Sequence, residues 1–281
     1  MARVKRPFDD PAAMSPQPTS MTPGGDLKAK IRCVLFDIYG TLFISGSGDV
    51  GLARKTTSTS RKLEQLMQKY DVGKPAQDLV AELHDAIEIK HRILKNQGID
   101  YPEIKIDEIW QQILGRGNIQ RVRQFAIEYE LIVNPVYPMP NLEKMLAACW
   151  QQNLAMGIIS NAQFYTPLLF EWFLGDRMEN LGFDPELIFL SYRSGCAKPS
   201  ETLFKMAAAA IEAKGLDTAA ALFVGNDMLN DIYPAHQLGF QTALFAGDAR
   251  SLRLRTDDPR CANLSADLIL TDLGQLIEHI T

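Results

Sequence analysis

From Pro138 onward, short apolar runs alternate with stretches of helical periodicity, and this alternation constrains the fold more than any other feature of the chain. Strands are expected at 154–160, 187–190, 220–225, 241–245 and 267–270. Helices are expected at 141–152, 165–180, 201–214, 231–238 and 273–280. Strands that are apolar along their length and separated by helices belong in a parallel sheet covered on both faces. The earlier run Cys33-Val34-Leu35 has the same character and joins that sheet. Residues 49–135 carry almost no strand signal. There Leu63, Leu66, Met67 and Tyr70 recur at helical spacing, as do Leu79, Leu83, Ile87 and His91. Helices are expected at 62–70, 76–95, 106–114 and 119–131, the second opened by Pro75 and closed by Gly98. The fold class is α/β: a doubly wound parallel sheet built from residues 28–48 and 136–281, interrupted by an all-helical insertion over 49–135.

A chain of 281 residues, 46% of them hydrophobic, buries about 75% of its extended surface, enough for such a core and its insertion. The net charge of −5 argues against nucleic acid as a partner, because phosphate backbones require a clustered basic face. Cys33, Cys149, Cys196 and Cys261 are scattered without a paired motif, which suits free thiols in a reducing compartment. No apolar run approaches the ~20 residues of a membrane helix, and no secretory signal precedes the first strand. The expected location is the cytoplasm. Residues 1–27, rich in Pro, Ser, Gly and Met, are expected to form a disordered tail. Whether the tail binds a partner, and what oligomer the chain forms, are left open.

Ligands of open α/β sheets bind at the carboxyl ends of the strands. The first strand ends in Asp37, with Thr41 in the turn beyond. Another ends in Ser160-Asn161, a following loop carries Lys198-Pro199, and a later strand ends in Gly225-Asn226-Asp227 with Asp231 close behind. Each group has a plain alternative. Asp231 alone reads as a helix N-cap, Ser160-Asn161 as a turn, and Lys198-Pro199 as a surface loop. Together they form a coherent set at one sheet edge. Asp37, Asp227 and Asp231 would gather negative charge that needs a cation or raised pKa values. Oxygen ligands of this kind suit Mg²⁺, which accepts a substrate phosphate. Lys198 would neutralise nucleophile and phosphate, and Ser160 would donate to a phosphoryl oxygen.

The ordered motifs resemble those of the haloacid dehalogenase (HAD) superfamily. Asp37-Ile38-Tyr39-Gly40-Thr41-Leu42 is similar to its nucleophile motif, Ser160 to the second, Lys198-Pro199 to the third, and Gly225-Asn226-Asp227 with Asp231 to the fourth. The resemblance implies a Rossmann-like core with the first strand central and a helical cap over 49–135. The loop Ile44-Ser45-Gly46-Ser47-Gly48 would serve as the hinge side of that cap. It also implies catalytic roles for Asp37, Tyr39, Thr41, Ser160 and Lys198. Asp37 would carry the covalent intermediate. Thr41, Ser160, Asn161 and Lys198 would hold the phosphoryl group. Mg²⁺ would be held by Asp37, the Tyr39 carbonyl and Asp227, with Asp231 or Asn226 as an additional or outer-shell ligand.

Tyr39 departs from the phosphatase pattern, which has Asp there as acid and then base. The 2-haloacid dehalogenases have Tyr, need no metal, and lack the acidic fourth motif that Asp227 and Asp231 supply here. The expected activity is Mg²⁺-dependent hydrolysis of a small phosphorylated metabolite through an aspartyl phosphate. The alternatives are hydrolytic dehalogenation and a weakly active or non-catalytic binding module. His84 and His91 are candidates to replace the missing acid–base group.

Overall fold

The computed structural model describes residues 13–47, 61–115 and 117–280. The sheet is built around β2 (Cys33–Phe36), in which every residue is buried. Its parallel neighbours are β5 (Ala155–Ser160) and β7 (Ala221–Gly225). With β6 (Phe183–Leu190), β8 (Gln241–Phe245), β9 (Leu268–Leu270) and the edge pair β1 (Gly24–Gly25), the order is β1-β9-β8-β7-β2-β5-β6. Only β1 is antiparallel, against β9.

The alternation of side chains along a strand explains why both faces are covered. Val34 and Phe36 enter the core shared with α5 (Leu142–Gln151) and α10 (Leu276–Ile280). Cys33 and Leu35 enter the opposite core, shared with α8 (Thr202–Ala213) and α9 (Tyr233–Gln237). A four-residue strand that is apolar at every position therefore belongs in the middle, as expected.

The insertion contains α1 (Arg61–Lys69), α2 (Ala76–Asn96), α3 (Ile106–Ile113) and α4 (Ile119–Val133). It has a core of its own, with Leu66, Leu79, Leu83, Trp110, Val122 and Phe125 among its members. Asn118 caps α4, its side chain accepting from the Gln120 amide at 2.9 Å. The ends of the insertion meet in an antiparallel ribbon of β3 (Phe43–Ser45) and β4 (Val136–Pro138) that the sequence pattern did not announce. Three residues are too few to display a period of two. Ser45 and Ser47 both donate to Asn134 Oδ1, at 2.8 and 3.0 Å, which stitches this junction. Gly48, at the far end of the expected hinge loop, lies outside the described residues.

Four further expectations are corrected. The helix expected at 165–180 is confined to α6 (Leu168–Phe173), and β6 begins four residues earlier than its apolar run suggested. Pro185 falls inside β6, which is tolerated because β6 is an edge strand. The helix expected at 231–238 opens instead with a π-helical turn, Met228–Ile232, that runs into α9. The described half of the expected tail is held to the core. Thr19 Oγ1 donates to the Ala246 carbonyl at 2.7 Å, the Gln17 amide donates to Asp248 at 3.1 Å, and Gly24–Gly25 adds a strand. Backbone pairing with the sheet edge orders a segment that has few apolar side chains. Residues 1–12 lie outside the described residues. No helix among the described residues is long and apolar enough to cross a membrane.

Candidate functional site

Strand register sets the site. Phe36, the last residue of β2, lies opposite Ile158 of β5 and Val224 of β7, so the three parallel strands exit at the same sheet edge, β7 one residue and β5 two residues further on. Asp37 and Asn226 directly follow β2 and β7, and Ser160 is the last residue of β5. The Asp37 amide still pairs with the Val224 carbonyl at 2.9 Å, which fixes the carboxylate at the strand exit. Beyond it the chain reverses through Gly40, at φ 84°, where a Cβ would lie 2.6 Å from Ser251 and 2.8 Å from the Asn226 amide nitrogen. Only glycine meets both demands.

Lys198 occupies the centre. Its ammonium donates to Asp37 Oδ1 at 2.7 Å, to Asp231 Oδ1 at 2.5 Å and to the Ile159 carbonyl at 3.2 Å. Burial by itself would lower its pKa, but Asp231 and Asp37 beside it raise it further, so the lysine is charged. Asn161 is placed to hold this lysine. Its side-chain oxygen accepts from the Lys198 amide at 2.7 Å and its nitrogen donates to the Lys198 carbonyl at 3.1 Å. The expected phosphoryl ligand is thus engaged as a clamp on the Lys198 backbone.

The π-helical turn explains how Asp231 reaches the lysine. The turn carries Asp231 back beneath β7, where its Oδ2 accepts from the Asp227 amide at 2.9 Å. A Cβ at position 225 would lie 2.5 Å from the Asp231 carboxyl carbon, which accounts for Gly225. Burial pushes the Asp231 pKa upward, while Lys198 opposes that rise. The helix-capping role that the sequence offered to Asp231 belongs to Asp227, whose Oδ1 accepts from the Leu229 and Asn230 amides at 2.9 and 3.2 Å.

Thr41 is fully buried and donates to Asn226 Oδ1 at 3.0 Å, tying the first and fourth motifs together. Asn226 in turn donates to the Ser251 carbonyl at 2.6 Å. Ser160 differs from these. Its hydroxyl is buried at the end of β5 with no hydrogen-bond partner among the described residues. A buried polar atom left unpaired is costly, and a ligand oxygen is one way to satisfy it. The Tyr39 hydroxyl lies 3.0 Å from Thr166 Oγ1. Burial, and secondarily the nearby Glu130, push the phenol further above its ordinary value, so it stays protonated.

His84 and His91 line a cavity of about 280 Å³ walled by the helical insertion and by Gln163 and Tyr165. Glu103 and Glu130 open into the same space, both with pKa values raised by burial. Sequence reasoning missed the two carboxylates, because in a helical block they read as solvated positions.

It also missed Ser251 and Arg255. Residues 251–255 run beside the fourth motif, the Arg253 amide donating to the Asn226 carbonyl at 2.9 Å and the Met228 amide to the Arg253 carbonyl at 2.8 Å. Arg255 Nη2 donates to Asp227 Oδ2 at 2.6 Å, and its Nε lies 3.2 Å from both carboxylate oxygens. The only available signal was the basic spacing Arg250, Arg253, Arg255. Among the described residues, no three His, Cys, Asp or Glu side chains are grouped so as to hold a metal ion. The expected set of Asp37, Asp227 and Asp231 is divided between Lys198 and Arg255.

Residues 195–276, spanning the third and fourth motifs, match a family model described as HAD-hydrolase-like. The chain is 26% identical over 215 residues to glyceraldehyde 3-phosphate phosphatase of Methanocaldococcus jannaschii, covering 75% of this chain and 83% of that relative. It superposes on the HAD phosphatase from Thermococcus onnurineus with a TM-score of 0.53 at 17% identity, covering 88% of this chain and 97% of that one. The 2-haloacid dehalogenase from Pseudomonas syringae pv. Tomato DC3000 gives a TM-score of 0.55 at 18% identity, over 89% and 98% of the two chains. The structural likenesses speak to the fold, and the motif residues converge at its sheet edge. The family-model match, the phosphatase relative and the shared fold together support a hydrolase of the haloacid dehalogenase superfamily.

Proposed function

We propose that the protein hydrolyses a small phosphorylated metabolite, with Asp37 as the nucleophile that takes up the phosphoryl group. The observation that carries this reading is a buried anion site beside a buried carboxylate. Lys198 lies 2.7 Å from Asp37 Oδ1, and the Ser160 hydroxyl at the neighbouring strand end is unsatisfied among the described residues. The M. jannaschii relative, a glyceraldehyde 3-phosphate phosphatase, supports a phosphate ester as the substrate class.

In this reading the Asp37 oxygen not held by Lys198 attacks phosphorus. The bond from phosphorus to the leaving oxygen breaks as the aspartyl phosphate forms. Lys198 and Ser160 stabilise the charge that spreads over the phosphoryl oxygens. Water then attacks phosphorus and the bond to Asp37 breaks, returning the carboxylate; the water's protons leave with the phosphate, and the leaving oxygen has taken its proton from solvent. A protonated phenol at position 39 can donate to a leaving oxygen but cannot take the proton of the attacking water.

Mg²⁺ is the cofactor generally used by phosphatases of the superfamily, and it was expected here. The donor set does not fit it: Asp227 is engaged by Arg255 and its own turn, and Asp231 by Lys198 and a backbone amide. No step above is routed through a metal.

A second reading is favoured by one observation, Tyr39, which matches the 2-haloacid dehalogenases. A panel of phosphomonoesters and 2-haloacids, assayed for phosphate and for halide, separates the two. Phosphate release without halide supports the proposal, and halide release overturns it. Binding without either product points to a non-catalytic module.

Position 39 gives a further test. Tyr39→Asp supplies the missing carboxylate and is expected to raise the rate of phosphate release, within the ~10²–10⁴-fold range of general acid–base catalysis. The check is kcat on the best ester of the panel. A fall in kcat would show that the phenol itself is used.

A further inference from the structure

Arg255 engages Asp227, the carboxylate that the expected chemistry would give to a divalent cation. Its guanidinium meets Asp227 at 2.6 and 3.2 Å, and the Asp227 side chain is only 8% exposed. The contact is built in from both sides. Residues 251–255 are locked to the fourth motif through Arg253, whose amide and carbonyl bond Asn226 and Met228. Arg255 itself sits at φ 51°, in the left-handed region that a long side chain enters rarely. Backbone held in such a conformation is a recurring mark of functional sites.

The charges of the site are offset in part. Three carboxylates, Asp37, Asp227 and Asp231, face two cations, Lys198 and Arg255. A divalent ion at Asp227 would have to displace a guanidinium that already forms a forked contact.

We propose that Arg255 supplies at Asp227 the positive charge for which phosphatases of the superfamily generally use Mg²⁺, so that this chain needs no divalent cation there. The proposal rests on the phosphohydrolase reading of the same site, and deepens it. Arg255 acts through Asp227 and is a positioning and charge-balancing residue.

The test pairs a thermal titration with turnover, using Mg²⁺ as the probe at constant ionic strength. Arg255→Asn removes the charge while suiting the left-handed backbone, since Asn enters that region readily. The wild type is expected to show the same unfolding midpoint with and without millimolar Mg²⁺, and the same phosphate release in a chelator. Arg255→Asn is expected to lose phosphate release about 10- to 100-fold in the chelator and to gain a midpoint that rises with Mg²⁺. Should that variant fail to fold, Arg255→Gly, which is unstrained at this φ, carries the same measurement. A wild-type midpoint that rises with Mg²⁺, or wild-type turnover lost in the chelator, overturns the proposal. If no ester of the panel is turned over, the thermal titration alone still decides the role of Arg255, so its failure is distinguishable from that of the phosphohydrolase reading.

Discussion

Asp37→Asn is expected to abolish phosphate release while leaving the fold intact. The amide keeps the shape of the side chain but offers a far weaker nucleophile, and losing the attacking group of a covalent mechanism costs on the order of 10⁴–10⁶-fold in turnover. The fold tolerates the change because Lys198 keeps Asp231 as its partner at 2.5 Å. One buried carboxylate is removed from a site that holds more acidic than basic groups, so no new unpaired charge is created. The measurement is kcat together with the unfolding midpoint of the same preparation. Residual turnover above about one hundredth of wild type, well outside that range, would mean that Asp37 does not attack.

Lys198→Ala is expected to differ from Asp37→Asn in stability, with a large loss of stability alongside the loss of activity. The lysine side chain is 3% exposed, and truncating it leaves Asp37 and Asp231 facing one another without a cation. Removing one partner of a buried ion pair costs about 3–5 kcal/mol, because the remaining charge stays buried. The cost depends on pH in a defined sense. In the variant the Asp231 carboxyl loses the ammonium that opposes its upward shift, and burial then holds its pKa above the unfolded value. A carboxyl with a raised folded pKa binds more protons folded than unfolded, so stability falls as pH rises between the two values. The deficit relative to wild type is therefore smallest in mild acid and largest above neutrality. In the wild type, Lys198 has a raised folded pKa, so its contribution is full below the unfolded lysine value and is lost only as pH rises through the folded one. Denaturant unfolding of both proteins at a mildly acidic and a mildly alkaline pH checks this. Equal deficits at the two pH values would place the cost in lost packing instead.

How far the sequence could be read depended on the range of each interaction. The central strand was legible at Cys33-Val34-Leu35 because a strand buried on both faces is apolar at every position. The residues at the strand exits were legible because the carboxyl edge of a parallel sheet gathers whatever follows each strand. Asp37, Ser160 and Lys198 were found in that way. The role of Asn161 was not, because a side chain that grips the backbone of Lys198 has the same sequence signature as one that grips a ligand. The capping role passed from Asp231 to Asp227 because a π-helical turn cannot be told from an α-helix by periodicity over five residues. Arg255 escaped notice for a different reason. Its pairing with Asp227 depends on where a loop 28 residues away in the chain comes to rest, and nothing in local pattern encodes that. The ribbon joining Phe43–Ser45 to Val136–Pro138 closes over the whole insertion and was hidden for the same reason.

The two readings of Asp37 differ in where water attacks the covalent intermediate. An aspartyl phosphate is opened at phosphorus, and the water oxygen leaves in phosphate. An ester formed on carbon, as in dehalogenation, is opened at the Asp37 carboxyl carbon, and the water oxygen stays in the protein. A single turnover in water labelled with heavy oxygen, read by mass spectrometry of the released phosphate and of the peptide containing Asp37, tests the central claim most directly. The account predicts label in phosphate and an unlabelled Asp37. Label retained in the Asp37 carboxylate would contradict it.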